Sequence, residues 1–150
     1  MASWLSYDAF KTAQYNGNAL DFDTGATLKL ALVTASYTPN RATHDFWDDV
    51  SANEVSGTNY TAGGTALTTK SLAVASNLLT FDADDITFAQ HASGFTDARY
   101  AILYNDTGTP STARLVAYND LVFPHVSDDI AHKHKHHGFT GEPTAITEDN

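Results

Sequence analysis

The fold is decided by residues 28–33, which read Leu-Lys-Leu-Ala-Leu-Val. Leu28, Leu30 and Leu32 occupy alternate positions. Because successive side chains of a β-strand point to opposite faces, the three leucines share one face. The stretch therefore predicts a strand with at least one buried face, and the turn composition Tyr-Thr-Pro-Asn at residues 37–40 ends it.

Several further strand candidates follow in the second half of the chain, separated by turn compositions such as Asn-Asp-Thr-Gly-Thr-Pro at residues 105–110. The segment 100–104, Tyr-Ala-Ile-Leu-Tyr, is apolar on both faces and is expected at the centre of a sheet. This spacing of short strands predicts a mainly β protein, built as an antiparallel β-sandwich or barrel. The other candidates are residues 67–74, 78–81, 86–89 and 114–123.

A short N-terminal helix is predicted over about residues 6–15, because apolar side chains recur there in threes and fours. Ser3 or Ser6 is the expected cap of this helix, and residues 16–18, Asn-Gly-Asn, are its expected end. A single helical turn is predicted within residues 43–50, with its apolar side chains facing the core. A glycine-rich loop at residues 56–65 then separates the two halves of the chain.

Composition narrows the classes of function. The 150 residues suit one domain with a sizeable core, and the absence of cysteine excludes a disulfide framework. A formal charge of −10 disfavours nucleic acid and anionic membrane surfaces as partners. The apolar runs are far shorter than the roughly 20 residues of a membrane span, and the first residues predict no secretory signal. No Gly-X-Ser-X-Gly, His-Glu-X-X-His or phosphate-loop motif occurs, so no enzymatic activity is expected.

Four segments, residues 28–40, 44–64, 79–88 and 98–108, resemble a family of small virion proteins of tailed bacteriophages. The most specific part pairs His-Asp-Phe-Trp-Asp-Asp-Val at residue 44 onward with Glu-Val-Ser-Gly and Tyr-Thr-Ala-Gly-Gly further along the same segment. The resemblance implies a structural protein made in the host cytoplasm and located in the virion, on the capsid surface or in the tail. A capsid decoration (cement) protein is the preferred interpretation, and a minor tail or tail-fibre-associated protein involved in host recognition or tail assembly is the alternative.

The resemblance spans roughly residues 5 to 123. Residues 1–123 are therefore expected to form a β-rich virion domain, and residues 124–150 a histidine-rich C-terminal arm. Similar proteins generally finish with a further apolar strand, so either a partner supplies that strand or the arm has its own role. The expected partners are the major capsid protein or other virion proteins, and a homo-oligomer is expected. A trimer is preferred by analogy with decoration proteins, which usually sit on local threefold axes.

Six aromatic side chains are candidate interface residues, for docking on other proteins of the particle. For two of them, Phe46 and Trp47, a place in the core is the alternative interpretation. The six candidates are Trp4, Tyr7, Phe46, Trp47, Tyr60 and Phe139.

His132, His134 and His136 alternate with lysines, so an extended backbone would place all three on one side. Neutral imidazole is a good ligand for iron, nickel or zinc, and a divalent metal at this arm is one hypothesis. A solvated arm, or a pH-sensitive patch that pairs with acidic neighbours, is the preferred one. The carboxylates of residues 82–85 resemble the start of a calcium loop, but the glycine and glutamate that such a loop needs are missing, which favours an acidic turn. No other cofactor is expected.

Overall fold

A five-stranded antiparallel sheet forms the centre of the computed structural model, which describes residues 4–89, 91–95 and 97–121, and the backbone of 133–134 and 139–141. Residues 100–104 lie in the middle strand of this sheet, as predicted, and the strand predicted at residues 28–33 lies directly beside it. The mainly β fold with one short helix is thereby confirmed. In order across the sheet the strands are β1 (Trp4–Ser6), β8 (Leu115–Asp120), β7 (Ala98–Asn105), β2 (Leu28–Thr34) and β3 (Thr65–Ala66).

Two smaller antiparallel sheets accompany the central one. The first contains β4 (Ser71–Ala75) and β5 (Leu78–Asp82), which form a hairpin, and β10 (Phe139–Gly141), which pairs with the far side of β5. The second pairs β6 (Ile86–Thr87) with β9 (Lys133–His134). The sequence shows no strand signal after about residue 123, so the two ladders of the C-terminal arm were not predicted.

The two faces of the central sheet are covered by different kinds of structure. On one face Leu28, Leu30 and Leu32 form a buried cluster with Phe81 of β5, so two sheets share a core as in a sandwich. On the other face, side chains of β2 and β7 pack against Tyr37, Trp47 and Val50. These three residues belong to the segment between β2 and β3 and not to a second sheet. The central sheet is therefore buried on both sides, which explains why β2 and β7 are apolar on both faces.

The predicted helix is α1 (Asp8–Tyr15), and it ends at Asn16, before Gly17 with φ +84°. The prediction of a serine cap is wrong for Ser6, because Ser6 belongs to β1 and the residue that precedes the helix is Tyr7, whose side chain makes no capping hydrogen bond. Ser3 lies outside the described residues. Tyr7 alone links β1 to the helix, so the cap position is occupied by a side chain that is buried in the core.

The predicted helical turn in residues 43–50 is confirmed as a 3-10 helix over Trp47–Asp49, with Trp47 and Val50 buried. Two more 3-10 helices, Ser51–Asn53 and Pro110–Thr112, complete the helical structure of the described ranges. None of the helices in those ranges is long and apolar enough to cross a membrane.

The strand predicted over residues 67–74 is divided in the structure. Leu67 still donates its N–H to the carbonyl oxygen of Leu28, the first residue of β2. Thr69 then takes a positive φ of 48°, and the Lys70 ammonium group donates to Ala26 O. These contacts turn the chain out of the central sheet before β4 begins. A period-two pattern cannot reveal such a break, because apolar residues continue on both sides of it.

Candidate docking surface

Tyr7, one of the predicted interface residues, is wholly buried and cannot contact a partner in this fold. Its hydroxyl oxygen lies 2.8 Å from that of Tyr37, which in turn lies 2.8 Å from Nδ1 of His44. The backbone N–H of Asn40 also points at His44 Nδ1, so this nitrogen accepts and Tyr37 donates to it. Burial and the hydrogen bond to Tyr37 raise the pKa of Tyr7 well above its ordinary value. The interface role is therefore corrected: Tyr7 anchors the core.

Trp47 is also a core residue, because its indole stacks on the ring of Tyr104 with the centroids 4.5 Å apart and the planes 7° from parallel. Its prediction as an interface residue is wrong in this structure, and the alternative interpretation as a core anchor is confirmed. Phe46 is half-buried and lies under the guanidinium group of Arg114, 5.1 Å from the ring centroid. Trp4 is half-buried as well and packs against the core cluster.

Tyr60 holds the glycine-rich loop against the central sheet. Its hydroxyl donates to Glu54 Oε1 at 2.7 Å and accepts from the backbone N–H of Leu32 at 3.0 Å. Glu54 Oε1 also accepts from the N–H of Gly63 at 2.6 Å, and the carbonyl oxygen of Gly63 accepts from the Tyr104 hydroxyl at 2.8 Å. Burial raises the pKa values of Tyr60 and Tyr104 well above the ordinary tyrosine value. These hydrogen bonds among Tyr60, Glu54 and Gly63 thus form a structural clamp on the central sheet.

Gly64 completes this clamp. Its φ is +73°, and a Cβ at this position would collide with the backbone of Leu30 and Ala31 in β2. Only glycine combines a positive φ with such a close approach of two backbones. Tyr60 is half-buried in this arrangement, so its predicted interface role is reduced to the part of the ring that remains exposed.

The carboxylates of Asp49 and Asp84 accept hydrogen bonds from other groups of the same chain. Asp49 Oδ2 accepts from the backbone N–H groups of Asp45 and Phe46. Asp84 Oδ2 accepts from the hydroxyl groups of Thr68 and Thr69, which secures the segment that leads into β4. Within the described ranges no three histidine or acidic side chains gather in a metal-binding group.

The histidine hypothesis falls mostly outside the described residues. His132 and His136 lie outside them, and for His134 only the backbone, paired with Ile86, is described. Phe139, the sixth interface candidate, is likewise described only through its backbone, which pairs with Phe81.

An open pocket of about 350 Å³ lies between α1 and the loop that precedes Phe46. Asp8, Asp45 and Arg114 are its charged lining residues. None of them forms a nucleophile and base pair of the kind that acyl transfer needs. The pocket therefore adds no support for an enzyme.

The exposed apolar surface gathers instead on the β4–β5 hairpin. Every residue of β4 is exposed, and Leu72, Val74 and Leu79 are 41%, 72% and 41% exposed. Leu72 lies opposite Phe81 and Val74 lies opposite Leu79, so all four side chains share one face of the hairpin. Phe81 is covered by the core, whereas the other three extend past it. They account for three of the five large apolar side chains that are exposed in the described part of the chain.

The hairpin ends in a tight turn formed by Ser76 and Asn77, whose φ angles are 52° and 64°. Two consecutive positive φ angles are the signature of a type I′ turn, whose twist matches that of the flanking strands. The prediction of a strand over residues 78–81 agrees with β5, whereas the strand predicted over 67–74 begins only at Ser71, and the exposed face of the hairpin was missed. No local signal marks this face, because the eleven uncharged residues 71–81 have a counterpart of equal length at residues 30–40, which include most of the buried strand β2.

Comparison with protein-family models, with curated proteins and with solved structures finds no match for this chain.

Proposed function

We propose that this protein is a non-enzymatic structural component of a tailed-bacteriophage virion, a capsid decoration protein that docks on the major capsid protein and stabilises the head. The assignment to a phage particle and its capsid rests on the resemblance of residues 28–108 to small virion proteins. The observation that carries the docking role is the hairpin, whose face of Leu72, Val74 and Leu79 is apolar and exposed. Apolar patches that a soluble domain leaves open are typical of protein–protein contact sites.

The rest of the described surface agrees with a binding role. The carboxylates of Glu54, Asp49 and Asp84 are occupied by hydrogen bonds within the chain. A catalytic site for acyl transfer would need a nucleophile with a base, which the open pocket lined by Asp8, Asp45 and Arg114 does not supply. The charge of −10 favours a protein partner over nucleic acid or a membrane surface.

Docking of this face would stabilise a shell by mass action. A protein that binds only the assembled lattice adds its binding free energy to the assembled state and none to free subunits. The hairpin suits this role, because its tight turn and its pairing with β10 fix the face before contact. Preorganisation of this kind lowers the entropic cost of binding.

Copy number tests the assignment to the head. Stained gels of purified virions would compare this chain with the major capsid protein, and a decoration protein is expected at hundreds of copies. A few copies, in a small multiple of three or six, would contradict the cement role and favour the tail alternative.

A substitution tests the docking face. Leu79→Lys places a charge on the exposed face, and it should abolish binding of the purified protein to capsids that lack it. Tyr15→Lys is the matched control, since Tyr15 is 88% exposed and belongs to α1 rather than to the hairpin. Equal binding by both variants, with urea unfolding unchanged, would contradict a docking role of the hairpin face.

A further inference from the structure

Among the described residues, the outer edge of β4 is open and unprotected. β4 is the last strand of its sheet, and no strand of the described ranges pairs with its outer side. Proteins usually block such an edge with lysine, proline or a bulge, because its free N–H and C=O groups attract other strands. β4 reads Ser-Leu-Ala-Val-Ala and pairs with β5 without a register shift, so it carries none of these devices. We infer that this edge pairs with β4 of a second copy, antiparallel and centred on Ala73.

The turn determines which backbone groups face the open edge. In a hairpin with a two-residue turn, the residues next to the turn form a hydrogen-bonded pair, and such pairs then alternate along the ladder. Ala75 and Leu78 flank the turn here. Residues 71, 73 and 75 are therefore bonded to β5, whereas the N–H and C=O groups of Leu72 and Val74 point away from it.

Only one register uses all of these outward groups. When the two strands are centred on Ala73, Leu72 of each copy lies opposite Val74 of the other and exchanges two hydrogen bonds with it. All eight outward groups of the two copies are then paired. A shift that centres the contact on Leu72 or on Val74 would instead place outward groups opposite Lys70 or the turn. The edge is thus complementary to itself, as a two-fold contact requires.

Electrostatic repulsion between two copies is weak at this edge, despite the net charge of −10. The eleven residues 71–81 are uncharged, and the antiparallel arrangement sets the turn of one hairpin beside the base of the other. The two Lys70 residues would be six positions apart along the paired strands, about 20 Å at 3.4 Å per residue. That distance exceeds the screening length of roughly 8 Å at physiological salt, so like charges repel weakly across the contact.

Pairing of two β4 edges would extend the proposed function. Its consequence for the capsid rests on that proposed function. Leu72, Val74 and Leu79 of both copies would form one continuous apolar strip of six side chains, twice the face of a single hairpin. Because each β4 edge accepts one partner, the contact has two-fold symmetry. In the trimer expected of a decoration protein it would link copies of neighbouring trimers rather than copies around the threefold axis.

Disulfide trapping tests the register directly, because the chain contains no cysteine. In the inferred dimer Ala73 faces itself as a non-hydrogen-bonded pair, with the Cα atoms about 4.5 Å apart and within disulfide range. Ala75 is the matched control: it lies on the same face of β4, but its two copies would be about 14 Å apart. Mild oxidation of purified protein at millimolar concentration should cross-link Ala73→Cys about tenfold faster or more, since disulfides form only when the thiols are held close.

A second variant separates pairing from folding. Val74→Pro removes an outward N–H that β5 does not use, so it should abolish cross-linking in an Ala73→Cys background while circular dichroism stays unchanged. Leu79→Lys lies on β5 and should leave cross-linking intact. Equal rates for Ala73→Cys and Ala75→Cys, or no dimer from either, would overturn the inference. The decoration role would survive that result if virions still carry hundreds of copies.

Discussion

The hydroxyl oxygens of Tyr7 and Tyr37 lie 2.8 Å apart in the core, although thirty residues separate them in the chain. This bond ties the residue that precedes α1 to the loop that covers one face of the central sheet. The Tyr37 hydroxyl is in turn hydrogen-bonded to His44, which is partly exposed. A polar network therefore runs from a fully buried side chain to the surface.

Tyr7→Phe should lower the free energy of unfolding by about 1–2 kcal/mol, because the hydroxyl of Tyr37 then loses a buried partner. Urea denaturation of the two proteins would measure the change. Tyr15→Phe is the control and should leave the midpoint unmoved, since Tyr15 is 88% exposed. Equal midpoints for all three proteins would show that the bond contributes nothing.

Stability should fall as the pH rises above 10. Burial raises the pKa of Tyr37 from 10.0 to about 12, and burial also raises the pKa values of Tyr7, Tyr60 and Tyr104. Between pH 10 and 12 the unfolded chain loses phenolic protons that the folded chain keeps, so unfolding is favoured. In this range each such tyrosine lowers the free energy of unfolding by about 1.4 kcal/mol per pH unit.

Urea unfolding at pH 9, 10 and 11 would measure this slope. Absorbance at 295 nm would follow phenolate formation in the same samples, and part of it should appear only together with unfolding. A flat stability profile through pH 11 would contradict the burial of these hydroxyl groups.

Gly64→Ala should destabilise the fold strongly, because the added Cβ meets the backbone of Leu30 and Ala31 at a positive φ. Gly108→Ala is the matched control, since Gly108 also has a positive φ of 80° but no atom lies within 4 Å of its would-be Cβ. The control should lower the free energy of unfolding by about 1 kcal/mol through backbone strain alone. Gly64→Ala should lower it by roughly 3 kcal/mol or more. Similar costs in urea unfolding would mean that the loop does not approach β2 as closely as described.

Glu54 and Tyr60 should behave as a coupled pair. Glu54→Ala and Tyr60→Phe each leave buried groups without partners and should cost about 1–3 kcal/mol. The double variant should cost less than the sum, with a coupling energy of about 1–2 kcal/mol. Glu54→Ala combined with Tyr15→Phe should be additive in the same unfolding experiment, and additivity of the first pair would contradict the clamp.

The strands β2 and β7 could be predicted from sequence because their apolar residues fill both faces of a doubly covered sheet. The helix α1 followed from spacing in threes and fours. The start of β4 could not be predicted, because it depends on the bond from Lys70 to Ala26, more than forty residues away. Local patterns carry no information about such distant contacts.

The residues of the candidate docking surface could not be predicted from local patterns either. Tyr7, Trp47 and Leu72 all look like apolar anchors in sequence, but only Leu72 remains open once the chain has folded. Whether a side chain is covered depends on which distant segment lies over it, and hydropathy does not encode that. The neutral stretch that contains Leu72 does not mark the hairpin either, because residues 30–40, which include most of the buried strand β2, are also uncharged.

Trp4 lies opposite Asn119 in the ladder between β1 and β8, and Leu30 lies opposite Leu103 between β2 and β7. During translation the early strands must therefore wait until more than a hundred residues have left the ribosome before they find their partners. Folding that depends on such distant pairs is slow, and it leaves unpaired strands exposed for longer. A chain released prematurely, before β8, would lack the partner of its own first strand. Only chains that extend through β8 would then be able to complete the central sheet.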